Sequence, residues 1–578
     1  MKEITNFSDH ASLLDLENLD SPKDLYTRLA LPYVPRILHL LDQNQYSPNY
    51  GSFDRAFWHY RTMDFPCGMS QEMVLLLALV YRNPYPGNSF HKVSRIRELC
   101  EAAISFMVKS SHADGTCDDY FPYERAMGAL VFSLYGATES YLTLNMNNDA
   151  MQSFFVKRVK HLELEDETGR LANHQALAAL AAYNVYLITG DDQARKTAED
   201  RMTLTLSWQN KEEGWFQEYE GADPGYHTCS IDFLAKLRKK RMEKEGSDDP
   251  ELKEALLKAV DFSWNFMHPD GSYGGEYGSR NTFHFYPHGF ELLAPISGEA
   301  GQIADAFLQG IAKGKRYRND DDRMTAHYAY DFLQSWEDRT SERPPPIKES
   351  RKEPQTIWLK GAQMVIARNG QEWQKQGGLH VVANLSKGGV LKVFDAQGPI
   401  ASDTGVIGEL DDGTVVVSHL VQLDNEIKGA IEKPLGGKWF VKGTLCKRRK
   451  NQMSVLKSLL LRLWCLLIGR FNANLTRSLV QKIAITGKPK TIYDFEREIE
   501  VLSDRVRVTD RLTRDTPFRR LSVGSDATSI YVANSLTYQE SRLCPWQHAD
   551  WGKLPIENGQ KVWVREYFRG SGHSPFDS

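Results

Sequence analysis

The chain has 578 residues, long enough for more than one domain, and its 41% hydrophobic and 25% charged residues are the balance of an ordinary globular protein. A formal net charge of −4 supplies no overall field for nucleic acid, which is excluded as a partner class. Seven scattered cysteines without a CxxC pair give neither a zinc-ligand spacing nor a disulfide framework, and no metal or other cofactor is expected.

The first stretch, MKEITNFSDHASLLDLENLD, has no apolar core of the kind a secretory leader carries, so a cytoplasmic location is expected. From there to about 340 the texture is helical. SQEMVLLLALVYRN (70–83), ERAMGALVFSLYGATESYL (124–142) and NHQALAALAAYNVYLITGD (173–191) are long, apolar and poor in β-branched residues. The third is apolar nearly all round, which marks a buried helix. Amphipathic stretches such as DDQARKTAEDRMTLTLSWQ (191–209) and DPELKEALLKAVDFSWNFM (249–267) lie between them.

The apolar segments recur with a period of roughly 50–55 residues, which fits one helical hairpin per repeat. A loop rich in Gly, Asp and aromatics precedes each, here loops one to six in chain order: MDFPCGMSQE, ADGTCDDYFPYER, DETGRLANHQ, EEGWFQEYEGADPGYHT, DGSYGGEYGSRNTFHFYPHG and DDDRMTAHYAYD. Five or six hairpins, each with an outer amphipathic and an inner apolar helix, predict an (α/α) toroid over 1–340. All loops that open inner helices then fall at one end.

SERPPPIKESRKEPQ (341–355) reads as a linker, because three prolines among charges disfavour helix and packed strand. Beyond it, GGLHVVANLSKGGVLKVFD, GTVVVSHLVQL, YDFEREIEVLSDRVRVTDRL and VWVREYFRG alternate apolar and polar residues and are rich in β-branched ones. They predict an antiparallel β-sandwich over 356–578. The run SVLKSLLLRLWCLLIGRFNANLTRSLVQKIAITGK (454–488) interrupts it. Its charge-free stretch is too short to span a bilayer. It is apolar and basic without acids, and it suits either packing on the adjoining domain or peripheral contact with an anionic membrane.

The toroid loops gather Tyr123, Glu124 and Arg125, then Asn173 and His174, then Tyr226 and His227, then Arg280, Asn281, His284 and His288. Each has a plain structural reading as well: Asn173 as a helix cap, His174 and His227 as packed histidines, Arg125 as half of an ion pair. As a set they are short of paired acids and rich in Asn, His, Tyr and Arg. That suits β-elimination across a uronic acid. The charge that spreads into the C6 carboxylate is neutralised by amide, guanidinium or imidazolium, a base takes the C5 proton, and an acid protonates O4. A glycoside hydrolase would need two carboxylates, for which Asp118, Asp119, Asp223 and Glu276 are available. A C5-epimerase uses the same carbanion without cleavage, and a binding or assembly factor would need no chemistry.

Asn173–His174 opening an inner helix, followed by Asp223 and Tyr226–His227, resembles the heparinase II/III-like polysaccharide lyases. The resemblance implies a toroid joined to a C-terminal β-sandwich, an acidic polysaccharide as substrate and no cofactor. By position it implies that Asn173 and His174 neutralise the substrate carboxylate, with His174 also a candidate base. Tyr226 becomes the catalytic acid and a candidate base. His227 and the loop of Arg280, Asn281 and His284 become supporting binders, although the run YGSRNTFHFYPHGFE matches no pattern of these lyases; His288, Tyr123, Glu124 and Arg125 are substrate-binding candidates from the loop set itself. Two features depart from the pattern. The β domain lacks the Gly/His/Asp-rich turn of such lyases, since His380 and His419 stand in other contexts, and no leader is apparent. A cytoplasmic member suits a role beside exopolysaccharide synthesis.

Overall fold

The computed structural model describes residues 21–164, 169–219, 221–312, 325–347, 355–369, 378–396, 398–419, 426–429, 437–448, 452–481, 491–513, 517–524 and 546–570. The toroid contains α1 (Asp24–Ala30), α2 (Tyr33–Leu40), the short α3 (Arg55–Trp58), α4 (Val74–Arg82), α5 (Ser94–Ser110), α6 (Met127–Thr143), α7 (Asp149–Leu164) and α8 (Ala172–Thr189). It continues with α9 (Asp192–Ser207), α10 (Pro224–Glu245), α11 (Pro250–Trp264), α12 (His288–Leu293), α13 (Gly298–Ala312) and α14 (Thr325–Asp338). Each even-numbered helix from α4 to α12 packs on the next even-numbered one, and α14 returns to α4, which closes the ring. The odd-numbered helices α5 to α13 form the outer layer, and α1 covers α14.

Local sequence sets the helix ends. Asp191, Asp223 and Asp249 cap α9, α10 and α11, and proline follows the last two at the first helical position. Gly190 and Gly246 end α8 and α10 in the left-handed conformation, with φ of +72° at each. The inner helices are buried nearly all round. In α8 every residue from Ala172 to Val185 except His174 is buried, and its many alanines let neighbouring ring helices approach closely.

The linker is strapped to the toroid. Arg343 pairs with Glu291 and with Asp305, the latter at 3.1 Å, and the Ile347 amide donates to Glu299 at 2.7 Å. After it, β3 (Gln355–Leu359), β4 (Met364–Asn369), β5 (Leu379–Asn384), β6 (Val390–Asp395) and β7 (Gly398–Asp403) form a five-stranded antiparallel sheet in sequence order. A second antiparallel sheet is built mainly from β11 (Lys438–Lys447), β12 (Thr491–Val501), β13 (Arg505–Leu512) and β17 (Gln560–Phe568). β8 (Val406–Glu409), β9 (Val415–Val417), β10 (Glu426–Gly429), β14 (Arg520–Val523), β15 (Gln547–Ala549) and β16 (Ile556–Glu557) extend it.

The five-stranded sheet is the middle layer, with a core on each face. Met364 and Ile366 of β4 and Val382 of β5 join the toroid core, while Val365, Ala367, Val381 and Ala383 join the core between the two sheets. The alternation of strand side chains assigns the two faces. It also explains why all of β5 is buried, where a sandwich open to water on its outer face would expose every second residue.

β11 and β12 are antiparallel neighbours, from Lys438 opposite Glu500 to Cys446 opposite Thr491. Where a tight hairpin turn would stand, the chain inserts α15 (Val455–Trp464), a π-helical turn (Cys465–Gly469) and α16 (Ala473–Gln481). The remainder of the expected insertion, 482–488, lies outside the described residues.

Candidate functional site

Two carboxylates organise the loops before α8, α10 and α12. Asp223 Oδ1 caps α10 by accepting from the Tyr226 amide at 2.9 Å, and its Oδ2 accepts from the Arg280 amide at 2.7 Å. The Thr282 hydroxyl also donates to Asp223 Oδ1, so one side chain ties two loops together. The contact requires glycine at 225, where a Cβ would stand 2.1 Å from Thr282 Oγ1.

The second is Glu218, the last residue of the small strand β1 (Gln217–Glu218), which pairs with β2 (Gly221–Ala222), and 0% of its surface is exposed. It accepts from the Asn173 amide at 2.9 Å and from Asn173 Nδ2 through both oxygens, at 2.8 and 2.7 Å. Arg280 Nη1 completes its shell at 3.2 Å. Burial raises the Glu218 pKa above the usual carboxylate value, and Arg280 and Asn173 oppose that rise.

Arg280 sits over the Tyr226 ring, with its guanidinium carbon 3.5 Å from the ring centroid, and Tyr219 flanks it at 5.0 Å. Burial alone would loosen its proton, but Tyr226, Tyr219, Glu218 and Asp223 outweigh burial and hold it more firmly charged than a free arginine. The His284 ring meets Tyr226 edge-on at 4.9 Å, and His284 Nδ1 pairs with the Tyr328 hydroxyl at the start of α14. His174 is the partly exposed member of the group, edge-on to Phe132 at 5.7 Å and close over Gly128.

Asn173, Tyr226, Arg280 and His284 therefore come together, with His174 beside Asn173 on α8. Asn173 is not a cap. It lies inside α8 and gives its amide hydrogens to Glu218, so Glu218 caps the helix instead. Asn173 Oδ1 and Arg280 Nε are buried with no hydrogen-bond partner among the described residues. Such atoms are rare in folded proteins and point to water or a ligand.

The other candidates lie elsewhere. His227 is enclosed: Nδ1 accepts from the Phe216 amide at 3.3 Å and Nε2 donates to the Ala259 carbonyl at 3.0 Å. Burial pushes it down to about 4, so it is a neutral packing histidine with both nitrogens engaged, not a substrate contact. His288, the first residue of α12, faces away to α14 and α10, 2.7 Å from Asp338 and 3.6 Å from Asp232. Asp232, His288 and Asp331 have the donor types of a cation site, but Lys236 already supplies the cation, 2.6 Å from Asp232. Asn281 turns to the β domain, where its Oδ1 accepts from Lys387 Nζ.

Loop two, 113–125, is held largely by bonds among its own residues, apart from the site around Tyr226. Glu124 accepts from the amides of Asp119 and Tyr120 at 3.0 and 2.7 Å, and burial, reinforced by Asp119, pushes it up to about 7. The Tyr123 amide donates to Asp118, and Arg125 pairs with Asp114.

Glu218, Tyr328 and Lys387 escaped the sequence reading. Lys387, in the turn after β5, donates to the Glu276 and Gly278 carbonyls as well as to Asn281, which clamps the loop that carries Arg280. Lys392 pairs with Glu276 at 3.2 Å on the same side. The β domain thus supports this site with lysines. His380 packs against His268 and Phe394 at 6.3 and 6.0 Å, in the layer beneath.

No family model and no curated protein matches the sequence. Among solved structures, the chain is similar to the chondroitin AC lyase of Streptomyces coelicolor A3, at 11% identity over 91% of this chain and 69% of that one, with a TM-score of 0.48. It is similar to the heparan sulfate lyase of Pedobacter heparinus, at 11% identity over 90% and 78%, with a TM-score of 0.36. It is also similar to the cellobiose 2-epimerase of Bacillus thermoamylovorans B4167, at 12% identity over 54% and 98%, with a TM-score of 0.41. The helical toroid followed by two antiparallel sheets is read from the chain's own elements.

Proposed function

We propose that the protein processes a uronate-containing acidic polysaccharide by β-elimination at the Tyr226 site. The observation that carries this reading is the guanidinium of Arg280 over the Tyr226 ring, both held by buried carboxylates. In the proposed step His174 takes the C5 proton, the C4–O4 bond breaks and a C4=C5 double bond forms. The electron pair leaves with O4, which is protonated by the Tyr226 hydroxyl. Arg280, with Nε still to be satisfied, faces the charge that grows on the C6 carboxylate, and Glu218 holds Arg280 and Asn173 in place.

The carboxylates themselves favour elimination over hydrolysis. Asp118 accepts from the amides of Tyr123 and Arg125, Asp119 accepts from Cys67 Sγ at 3.1 Å, Asp223 ties two loops, and Glu276 pairs with Lys392. Each is engaged in structure, where a hydrolase needs an opposed pair facing the glycosidic bond.

The test is ultraviolet absorbance of unsaturated uronate ends, over a panel of uronate polysaccharides, with wild type and Tyr226→Phe. A rise with wild type that the variant loses by about 10²-fold or more supports elimination. No rise, with solvent exchange of the C5 proton at unchanged chain length, assigns epimerisation instead. Reducing ends without absorbance assign hydrolysis.

A further inference from the structure

The insertion between β11 and β12 contributes little to the core. No residue of α15 is buried, and burial begins only at Cys465, Gly469 and Thr476, where the two helices meet. Half of the large apolar side chains that are exposed among the described residues fall within 453–479. Leu456 is 66% exposed, Leu467 69% and Phe471 75%. A contiguous apolar surface of this kind on a folded protein marks an interaction site.

The segment is nevertheless anchored. Arg462 pairs with Asp64 of loop one, and Arg477 donates to the carbonyls of Glu124 and Arg125 in loop two, the former at 2.9 Å. Trp464 Nε1 donates to Thr476 Oγ1 at 3.0 Å, which locks α15 to α16. The hairpin is pinned by its polar contacts while its leucines face outward.

We propose that this hairpin is a docking surface for an anionic lipid bilayer. Charge decides the occupant. Residues 452–481 carry Lys457, Arg462, Arg470 and Arg477 and no acid, in a chain whose net charge is −4. Arg462 and Arg477 are engaged in anchoring, and Lys457 and Arg470 are exposed beside the apolar face. Cations flanking an exposed apolar face are the pattern of helices that lie in a membrane interface. A second copy of the chain fits worse. A two-fold interface would set this patch against itself, bringing cations together with no acid to pair them. Among the described residues no helix is long and apolar enough to cross a membrane, so the contact is interfacial. Docking in this way turns loops one and two toward the lipid surface.

The experiment is flotation of the full chain with vesicles of phosphatidylcholine alone and with added phosphatidylglycerol. Two variants accompany it: Leu459→Ser with Leu463→Ser and Leu467→Ser, and Lys457→Glu with Arg470→Glu. Wild type should float with anionic vesicles and stay behind with neutral ones. The charge variant should bind at least about thirtyfold more weakly, since each interfacial cation is worth about fivefold. Its changes lie at exposed positions, so it keeps the test valid if the serine variant unfolds. Failure of wild type to float, or equal flotation with neutral lipid and in the charge variant, overturns the proposal. So does a concentration-dependent dimer in sedimentation, abolished by the serine variant, when anionic vesicles bind nothing. That result assigns the patch to a second copy.

Discussion

If Glu218 organises the site, its removal should be felt through Arg280, and a double-mutant cycle isolates that coupling. Glu218→Gln keeps the shape and the Oε1 acceptor for Asn173. The new amide meets a donor on each side, Asn173 Nδ2 or Arg280 Nη1, since both now approach Oε2 at 2.7 and 3.2 Å. Both bonds to Oε2 are lost, the charge-assisted one from Arg280 alone worth about 1.5–3 kcal/mol, and Arg280 becomes a buried cation without its carboxylate. Breaking such a pair from one side costs about 3–5 kcal/mol in all. Arg280→Met strands the Glu218 carboxylate at a similar cost. In the double variant no charge is stranded, so its loss should fall short of the sum of the singles by about 1.5–3 kcal/mol. The assay is native-state hydrogen exchange of peptides spanning 216–228, which reads local opening without requiring the whole chain to unfold in one step. Additivity within about 0.5 kcal/mol would refute the coupling and reduce Glu218 to a helix cap.

Acid should weaken the fold well above the carboxylate range. Burial pushes His227 down to about 4 and His327 and His419 to about 3, while an unfolded histidine titrates near about 6.5. The unfolded chain binds these protons first, so stability falls as pH drops below that value. At pH 5 each site costs about 2 kcal/mol, and an unfolding midpoint unchanged between pH 7 and 5 would count against it. Asp403→Asn should lower the urea midpoint by an amount worth about 3–5 kcal/mol, because Asp403 accepts from Arg497 and Arg565 at 3.0 Å each and from Tyr567 at 2.9 Å. Burial raises its pKa, yet the two arginines hold it below the usual range. Its contribution is therefore present above about pH 4 and lost below. Lys387→Met should take one donor from each of three oxygens, the Glu276 and Gly278 carbonyls and Asn281 Oδ1, and speed exchange of 276–284 by an amount worth about 2–3 kcal/mol. Unchanged protection there would show that the loop holds itself.

The architecture was legible because it rests on periodicity. Apolar runs such as 173–191 read as inner helices, and they form the ring. The convergence of loops followed from the repeat, and it brought Asn173, Tyr226, Arg280 and His284 together. Individual roles were less legible, since they depend on which way a side chain turns. His227 neighbours Tyr226 in sequence, but on a helix consecutive residues point about 100° apart, and this one points at Phe216 and Ala259. Glu218 carried no signal beyond being one of several acids in a loop. Only folding shows that it is the acid that Asn173 and Arg280 share.

Lys387 indicates why the two domains stay together. The loop from Gly271 to Tyr286 is long, rich in glycine and lacks regular structure, and an isolated toroid would have to order it alone. The middle sheet supplies that order from below: Asn384 donates to the Tyr277 carbonyl at 2.6 Å, Lys387 reaches Gly278 at 2.9 Å, and Lys392 meets Glu276. Arg280 is then positioned from both directions, by Glu218 and Asp223 of the toroid and by a loop fastened to the β domain. On this geometry the β-sheets bear on the proposed chemistry by fixing the loop that carries the guanidinium. Separating the domains near the linker should therefore abolish the proposed elimination, read as ultraviolet absorbance, while helical circular dichroism of the toroid is retained.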